Sequence, residues 1–216
     1  MKKAIIFLAL SLSINLSLSA QTSYESYMQE SISLYDSVKN ITDYQNIVNR
    51  FNRIAKAEKE EWLPNYYAGL TYVYMSFVRG LDDNKRDEYL DQALVYAEKA
   101  AESADNHVEV TILTGYIYMA KVSVSPALRG MTMSGKVSAY FEKALAMSPE
   151  NPRANLMLGR WKFGTAQFFG SGIEEPCALM QKSLSLYEGL DQNIGIMPNW
   201  GKGQAVAMAK KCSGNN

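Results

Sequence analysis

The chain predicts an all-α fold: a right-handed stack of antiparallel helix pairs, about nine helices in all, closed by a C-terminal capping helix. Three observations predict it. A short phrase recurs, in its clearest form as Phe141-Glu142-Lys143-Ala144-Leu145 followed by Pro149 and an apolar stretch ending in Gly159. Weaker copies are Ala97-Glu98-Lys99-Ala100, followed by Gly115, and Met180-Gln181-Lys182-Ser183-Leu184. Self-similarity at this scale marks stacked helix pairs, because no single pair can bury its apolar face without a neighbour. Apolar residues also recur at helical spacing nearly everywhere, and strand-like alternation is almost absent.

Taken in order, the first helix spans Tyr24 to Val38, with Tyr24, Tyr27, Met28, Ile32, Leu34 and Tyr35 as its apolar members. Asn40 and Thr42-Asp43 mark a turn and a cap, and the second helix runs from Tyr44 to about Lys59. Pro64 suits a first turn, where its missing N–H costs little, and opens a third helix that Gly80 and Asp82-Asp83-Asn84 terminate. The fourth covers about Lys85 to Ser103, and the fifth holds Val110, Leu113, Ile117, Tyr118 and Met119 before Pro126. A loop is expected from Ser125 to about Thr132, then a sixth helix ending near Met147. Asn151 caps and Pro152 opens the seventh, followed by a second loop from Ala166 to Gly172. Glu174, Glu175 and Pro176 suit the first turn of the eighth helix by charge and shape, and Gly189 closes it. A ninth helix over roughly Trp200 to Lys211 caps the stack, and 213–216 form a frayed tail.

The chain's first residues have the order of a secretory signal. Lys2 and Lys3 precede an apolar run from Ala4 to Leu18, and the small residues Ser19 and Ala20 follow. The run is interrupted by Ser11, Ser13, Asn15 and Ser17, which makes it a poor permanent span. Residues 1–20 are therefore expected to be a cleaved leader and 21–212 a helical repeat domain in the periplasm or outside the cell. Formal charge is balanced at 22 basic and 22 acidic residues; losing Lys2 and Lys3 leaves a net charge of −2. No basic stripe points to nucleic acid, and no second apolar run is long enough to cross a bilayer. The two cysteines, Cys177 and Cys212, open one predicted helix and close the next, so an antiparallel pair of matching length brings them together. A bridge between them is expected in an oxidising compartment, with two small buried thiols as the alternative.

The pattern resembles the tetratricopeptide repeat, whose motif is Trp-x2-Leu-Gly-x2-Tyr, then Ala-x3-Phe-x2-Ala, then Pro. Phe141, Ala144 and Pro149 take the Phe, Ala and Pro places, and Asn155, Leu158 and Gly159 take the Trp, Leu and Gly places of the next unit. Upstream, Ile47, Phe51 and Ile54 lead into Ala68, Gly69 and Tyr72, and Ala93, Ala97 and Ala100 lead into Thr114, Gly115 and Tyr118. The Trp place is never Trp. Gly69, Gly115 and Gly159 lie 46 and then 44 residues apart, against about 34 in the usual repeat, and the excess is assigned to the connections within each pair. A narrower likeness, carried by Asn151-Pro152-Arg153-Ala154, Phe168-Phe169-Gly170-Ser171-Gly172 and Pro198-Asn199-Trp200-Gly201 with Cys212, is to exported repeat proteins of Bacteroidetes-type bacteria. The Phe-Gly stretch is also similar to the periplasmic tetratricopeptide partners of substrate-binding-protein transporters.

The resemblance implies that the first helix of each pair lines a concave groove. By motif position that surface includes Tyr66, Leu70, Tyr74, Ile112, Tyr116, Met119, Arg153 and Arg160, with core packing as the competing role for each. The three expanded connections, holding Arg79-Gly80, Arg129-Gly130 and Phe168-Phe169-Gly170, fall along one edge in a regular array. Phe168 and Phe169 there either bind a partner or fold back over the last repeat. No catalytic signature stands out: His107 is the only histidine, there is no Gly-x-Ser-x-Gly or phosphate loop, and the paired acids Glu60-Glu61, Asp82-Asp83 and Glu174-Glu175 read as solvated caps. No catalytic, cofactor or metal residue is assigned. The expected role is a non-enzymatic scaffold that holds a protein or peptide, with capture of a small hydrophobic ligand for uptake as the alternative.

Overall fold

The computed structural model describes residues 23–191 and 194–214; the expected leader lies outside them. Among the described residues all regular structure is helical. Helix α1 covers 23–33 and runs into a 3-10 turn at Leu34–Ser37. It is followed by α2 (Ile41–Ala57), α3 (Leu63–Ser76), α4 (Asp83–Ser103), α5 (Val108–Val124), α6 (Pro126–Met147), α7 (Pro152–Phe169), α8 (Glu174–Glu188) and α9 (Lys202–Cys212). Side chains secure several starts. Asn40 and Asp43 form a reciprocal capping box on α2, Asp82 accepts from the Lys85 N–H, His107 Nδ1 accepts from the Glu109 N–H, and Asn151 Oδ1 accepts from the Ala154 N–H.

Packing is tightest within the pairs α3–α4, α5–α6 and α7–α8, and α3 meets α5 while α5 meets α7 in the layer of first helices. This is the arrangement of an α-solenoid of helix pairs. One core runs from Met28 and Phe51 through Tyr67, Ile112 and Phe141 to Met157, and two smaller clusters lie at the C-terminal end. The three motif glycines sit where helices touch. A Cβ on Gly115 would stand 2.6 Å from the Phe141 ring, one on Gly159 would stand 2.8 Å from Met180 Cγ, and one on Gly69 would stand 3.2 Å from the Ala93 carbonyl.

Of the two expected loops, the first is helical from Pro126 onward and the second is helical over 166–169, leaving 170–172 as the connection. Only Ser125 separates α5 from α6: Pro126 occupies the first turn of α6, and Gly130 costs a helix interior only about 1 kcal/mol. Arg129 fastens that turn, donating to both carboxylate oxygens of Asp87 at 2.6 and 2.5 Å and to the Lys121 carbonyl at 3.0 Å. Phe168 and Phe169 complete the last turn of α7, which ends at Gly170 in the left-handed region at φ 70°. The residues that stretch the glycine spacing therefore lengthen helices, α4 to 21 and α6 to 22 residues, instead of expanding connections.

Cys177 and Cys212 are joined by a disulfide across a sequence separation of 35, with a Cα–Cα distance of 5.5 Å, tying the end of α9 to the start of α8. Trp200 lies outside α9, in an irregular segment over 194–201 that ends at Gly201 with φ 108°. This segment, the strap, gives the face of first helices its functional shape.

Candidate functional site

The strap crosses the layer of α3, α5 and α7 and is held there by aromatic side chains. Tyr67 donates its hydroxyl to the Ile196 carbonyl at 2.9 Å, and Trp200 Nε1 donates to the Tyr66 hydroxyl at 2.8 Å. Tyr187 of α8 donates to the Trp200 carbonyl at 2.8 Å, and the Trp200 ring stacks on Tyr116 of α5 at 5.7 Å. The proteins's own chain thereby covers much of the wall that the repeat resemblance assigns to a partner. Tyr66 and Ile112 are fully buried, Leu70 and Tyr116 nearly so, and Met119 packs half-buried on the main core.

Arg153 is buried too, and its role is internal. Its Nε and Nη2 donate to the two carboxylate oxygens of Glu109 at 2.7 Å each, and Asn151 Nδ2 donates to the same carboxylate at 2.7 Å. Burial works to lower the Arg153 pKa, but the hydrogen bonds and charge of Glu109 outweigh it and raise the value above its ordinary one, so the guanidinium stays charged.

Beside the strap the wall is open and aromatic. A hollow of about 220 Å³ is lined by Tyr35, Tyr67, Leu70, Tyr74 and Trp200, with Gln29, Ser33, Asp36 and Asn199 as its polar members. Tyr74 also lines a second hollow of about 320 Å³ with Tyr44 and Phe77. Tyr74 meets Tyr35 edge-on at 5.8 Å, and Phe77 stacks on Tyr116 at 6.2 Å. Two sets of rings, Tyr35–Tyr74 and Phe77–Tyr116–Trp200, meet along these hollows through Tyr74, Phe77 and Trp200, with Tyr116 buried beneath them; together they make an aromatic trough. Burial raises the phenols of Tyr35, Tyr74 and Tyr116 above their ordinary 10, which keeps them neutral at physiological pH. At one end of the trough stands Arg160 of α7, its guanidinium 5.9 Å from the Tyr116 ring centre and its Nη1 donating to Gln204 Oε1 of α9 at 2.5 Å. A larger hollow of about 600 Å³ between α2 and α4 is lined by Lys56, Lys59, Lys99, Glu60 and Glu102; its charged, mixed walls suit solvent better than an apolar ligand.

Phe168 and Phe169 lie apart from the trough. They are 72% and 75% exposed, touch each other edge-on at 5.1 Å and do not fold back on the last pair. Leu128 and Met131, in the first turns of α6, are exposed as well. His107 is used as the α5 cap and packs on Trp62 at 4.4 Å; both cysteines are bridged; and no group of three metal-ligating side chains occurs among the described residues. No described helix is long and apolar enough to cross a membrane.

Of the residues expected on the groove, Leu70, Tyr74, Tyr116 and Arg160 lie at or beside these hollows, and Tyr35, Phe77 and Trp200, which motif position does not assign to it, lie there as well. The signal for Trp200 was a large aromatic between Pro198 and Gly201, two residues that do not continue a helix. For Phe77 it was an aromatic left in the turn after α3.

A family model described as "Regulator of microtubule dynamics protein 1-3" matches residues 20–169. Among solved structures the chain is similar to the HusA haemophore from Porphyromonas gingivalis, at 25% sequence identity and a TM-score of 0.79, over 89% of this chain and 94% of that one. No curated protein matches.

Proposed function

The chain belongs to the regulator of microtubule dynamics protein 1-3 family, and from that scaffold and its trough we propose a binding protein, not an enzyme, that captures a flat, largely apolar small molecule of the tetrapyrrole class. The observation that carries this reading is the row of rings on the open wall, with Tyr74 lining both hollows and Trp200 of the strap closing one side. Flat aromatic surfaces favour a planar ligand by offset stacking, and neutral phenols add hydrogen bonds without charge. The likeness to a protein named as a haemophore supports the same ligand class. Helix α8, the strap and α9 lie beyond the matched residues 20–169, so the trough draws on both the matched scaffold and the C-terminal segment. The leader-like first residues support export, and the work is then uptake or carriage in the periplasm or outside the cell.

Haemin titration tests this, followed by absorbance and by quenching of tryptophan fluorescence. Wild type saturates at a defined stoichiometry. Trp200→Ala and Tyr74→Ala each weaken binding by about 10-fold or more while melting cooperatively, as expected of aromatic anchors. Phe168→Ser/Phe169→Ser leaves binding unchanged. Equal affinity in all four proteins contradicts the trough.

A second reading keeps a protein partner, and the observation that favours it is the exposed set Leu128, Met131, Phe168 and Phe169 at the α5–α6 and α7–α8 corners. On that reading the Phe168→Ser/Phe169→Ser protein loses its partner in pulldown while keeping haemin.

A further inference from the structure

We propose that Arg160 selects ligands that carry a carboxylate, an inference that rests on the trough being the ligand site. Four of the six other described arginines meet an acid: Arg50 meets Glu30 at 3.1 Å, Arg86 meets Asp83 at 3.4 Å, Arg129 meets Asp87 at 2.5 Å and Arg153 meets Glu109 at 2.7 Å, and the two that form no such pair, Arg53 and Arg79, are exposed to solvent. Arg160 meets none among the described residues. Its contacts are neutral: the Gln204 side-chain carbonyl at 2.5 Å, Met157 Sδ at 3.7 Å and the face of Tyr116.

The position matters as much as the missing counter-charge. Tyr116 packs against Phe77 at 6.2 Å and Trp200 at 5.7 Å, so the guanidinium is anchored at the end of the aromatic row on which a planar ligand would lie. A guanidinium carries five N–H donors in a fixed fork. Nη1 serves Gln204 and Met157 and one further N–H is drawn to the Tyr116 hydroxyl, which leaves two of the five to donate to carboxylate oxygens. Arg160 is only partly buried, so an incoming acid reaches it without passing through the core. Partial desolvation beside the Tyr116 ring strengthens the pairing relative to an exposed arginine. Ring stacking accepts many flat molecules; the acid contact discriminates among them.

The test uses the exported chain with two probes in one buffer, protoporphyrin IX and its dimethyl ester, which share a ring system and differ in their carboxylates. Wild type binds the diacid about 10-fold more tightly than the diester. Arg160→Gln lowers diacid affinity to the diester level and leaves diester affinity where it was, whereas Arg160→Lys retains part of the preference. Gln204→Ala, which removes the tie to α9 but keeps the cation, retains the preference. Equal affinities for both probes in wild type overturn the proposal. So does an Arg160→Gln protein that keeps the preference, or one that loses both probes to the same extent, since the latter marks Arg160 as a brace for α9. Binding of neither probe by folded wild type overturns the tetrapyrrole reading itself, and the role of Arg160 with it.

Discussion

Glu109 and Arg153 show how much the interior depends on single side chains. Their side chains are 3% and 8% exposed, so each ion has left water for the other. Removing one partner strands a buried charge, which typically costs about 3–5 kcal/mol. Glu109→Gln and Arg153→Met are each expected to lower the urea unfolding free energy by about that amount, and the double variant to recover part of the loss. His107 makes a pH-dependent contribution beside them. Burial is the main cause that lowers its pKa below 6.5, and its Nδ1 must stay unprotonated to accept from Glu109 N–H. The unfolded chain therefore takes up the proton first. The stability that neutral His107 contributes is complete above pH 6.5 and is lost as pH falls from there through the lower folded value. His107→Asn keeps a capping acceptor without titrating, so urea midpoints measured between pH 7 and pH 5 should fall less steeply than in wild type.

At the scale of elements, two glycines with the same sequence appearance make opposite predictions. Gly115 faces Phe141 and Tyr140 at 2.6 and 3.1 Å, so Gly115→Ala forces α5 and α6 apart and should cost about 1–3 kcal/mol. Gly135 in the interior of α6 has nothing within 4 Å of an added Cβ, so Gly135→Ala should stabilise by about 0.5–1 kcal/mol. Thermal melts of the two variants decide both. The Cys177–Cys212 link closes a loop of 35 residues, and its loss in Cys177→Ser/Cys212→Ser should cost about 4 kcal/mol in the chain-entropy model, with the fraying confined to α8, the strap and α9.

The same elements show what could be read from the chain alone. Helix order was legible because 3.6-residue periodicity, the Asn40, Asp82 and Asn151 caps and Pro64 and Pro152 act locally. The starts of α6 and the end of α7 were not. Gly130, Gly135 and the Phe168-Phe169-Gly170 run look like breakers; in α6 the Arg129–Asp87 clamp and packing on α5 outweigh that preference, and in α7 the helix runs through Phe169 and stops only at Gly170. The trough was half legible. Motif position points to Leu70, Tyr74, Tyr116 and Arg160, but it carries no information on a segment beyond the last repeat, and so the covering of Tyr66 and Tyr116 by Trp200 of the strap was invisible.

At the scale of the whole molecule, stacked pairs build a wall that the strap partly fills, leaving a row of rings with one unpaired guanidinium at its end. Ring row, strap and cation come from α3, α5, α7 and the C-terminal segment, elements far apart in sequence that only the stack brings together. The most direct measurement is hydrogen–deuterium exchange with and without haemin. Added protection is expected over 70–78, 112–119 and 196–204, with 126–131 and 166–172 unchanged. Protection confined to those two corner segments, or none despite saturation, would contradict it.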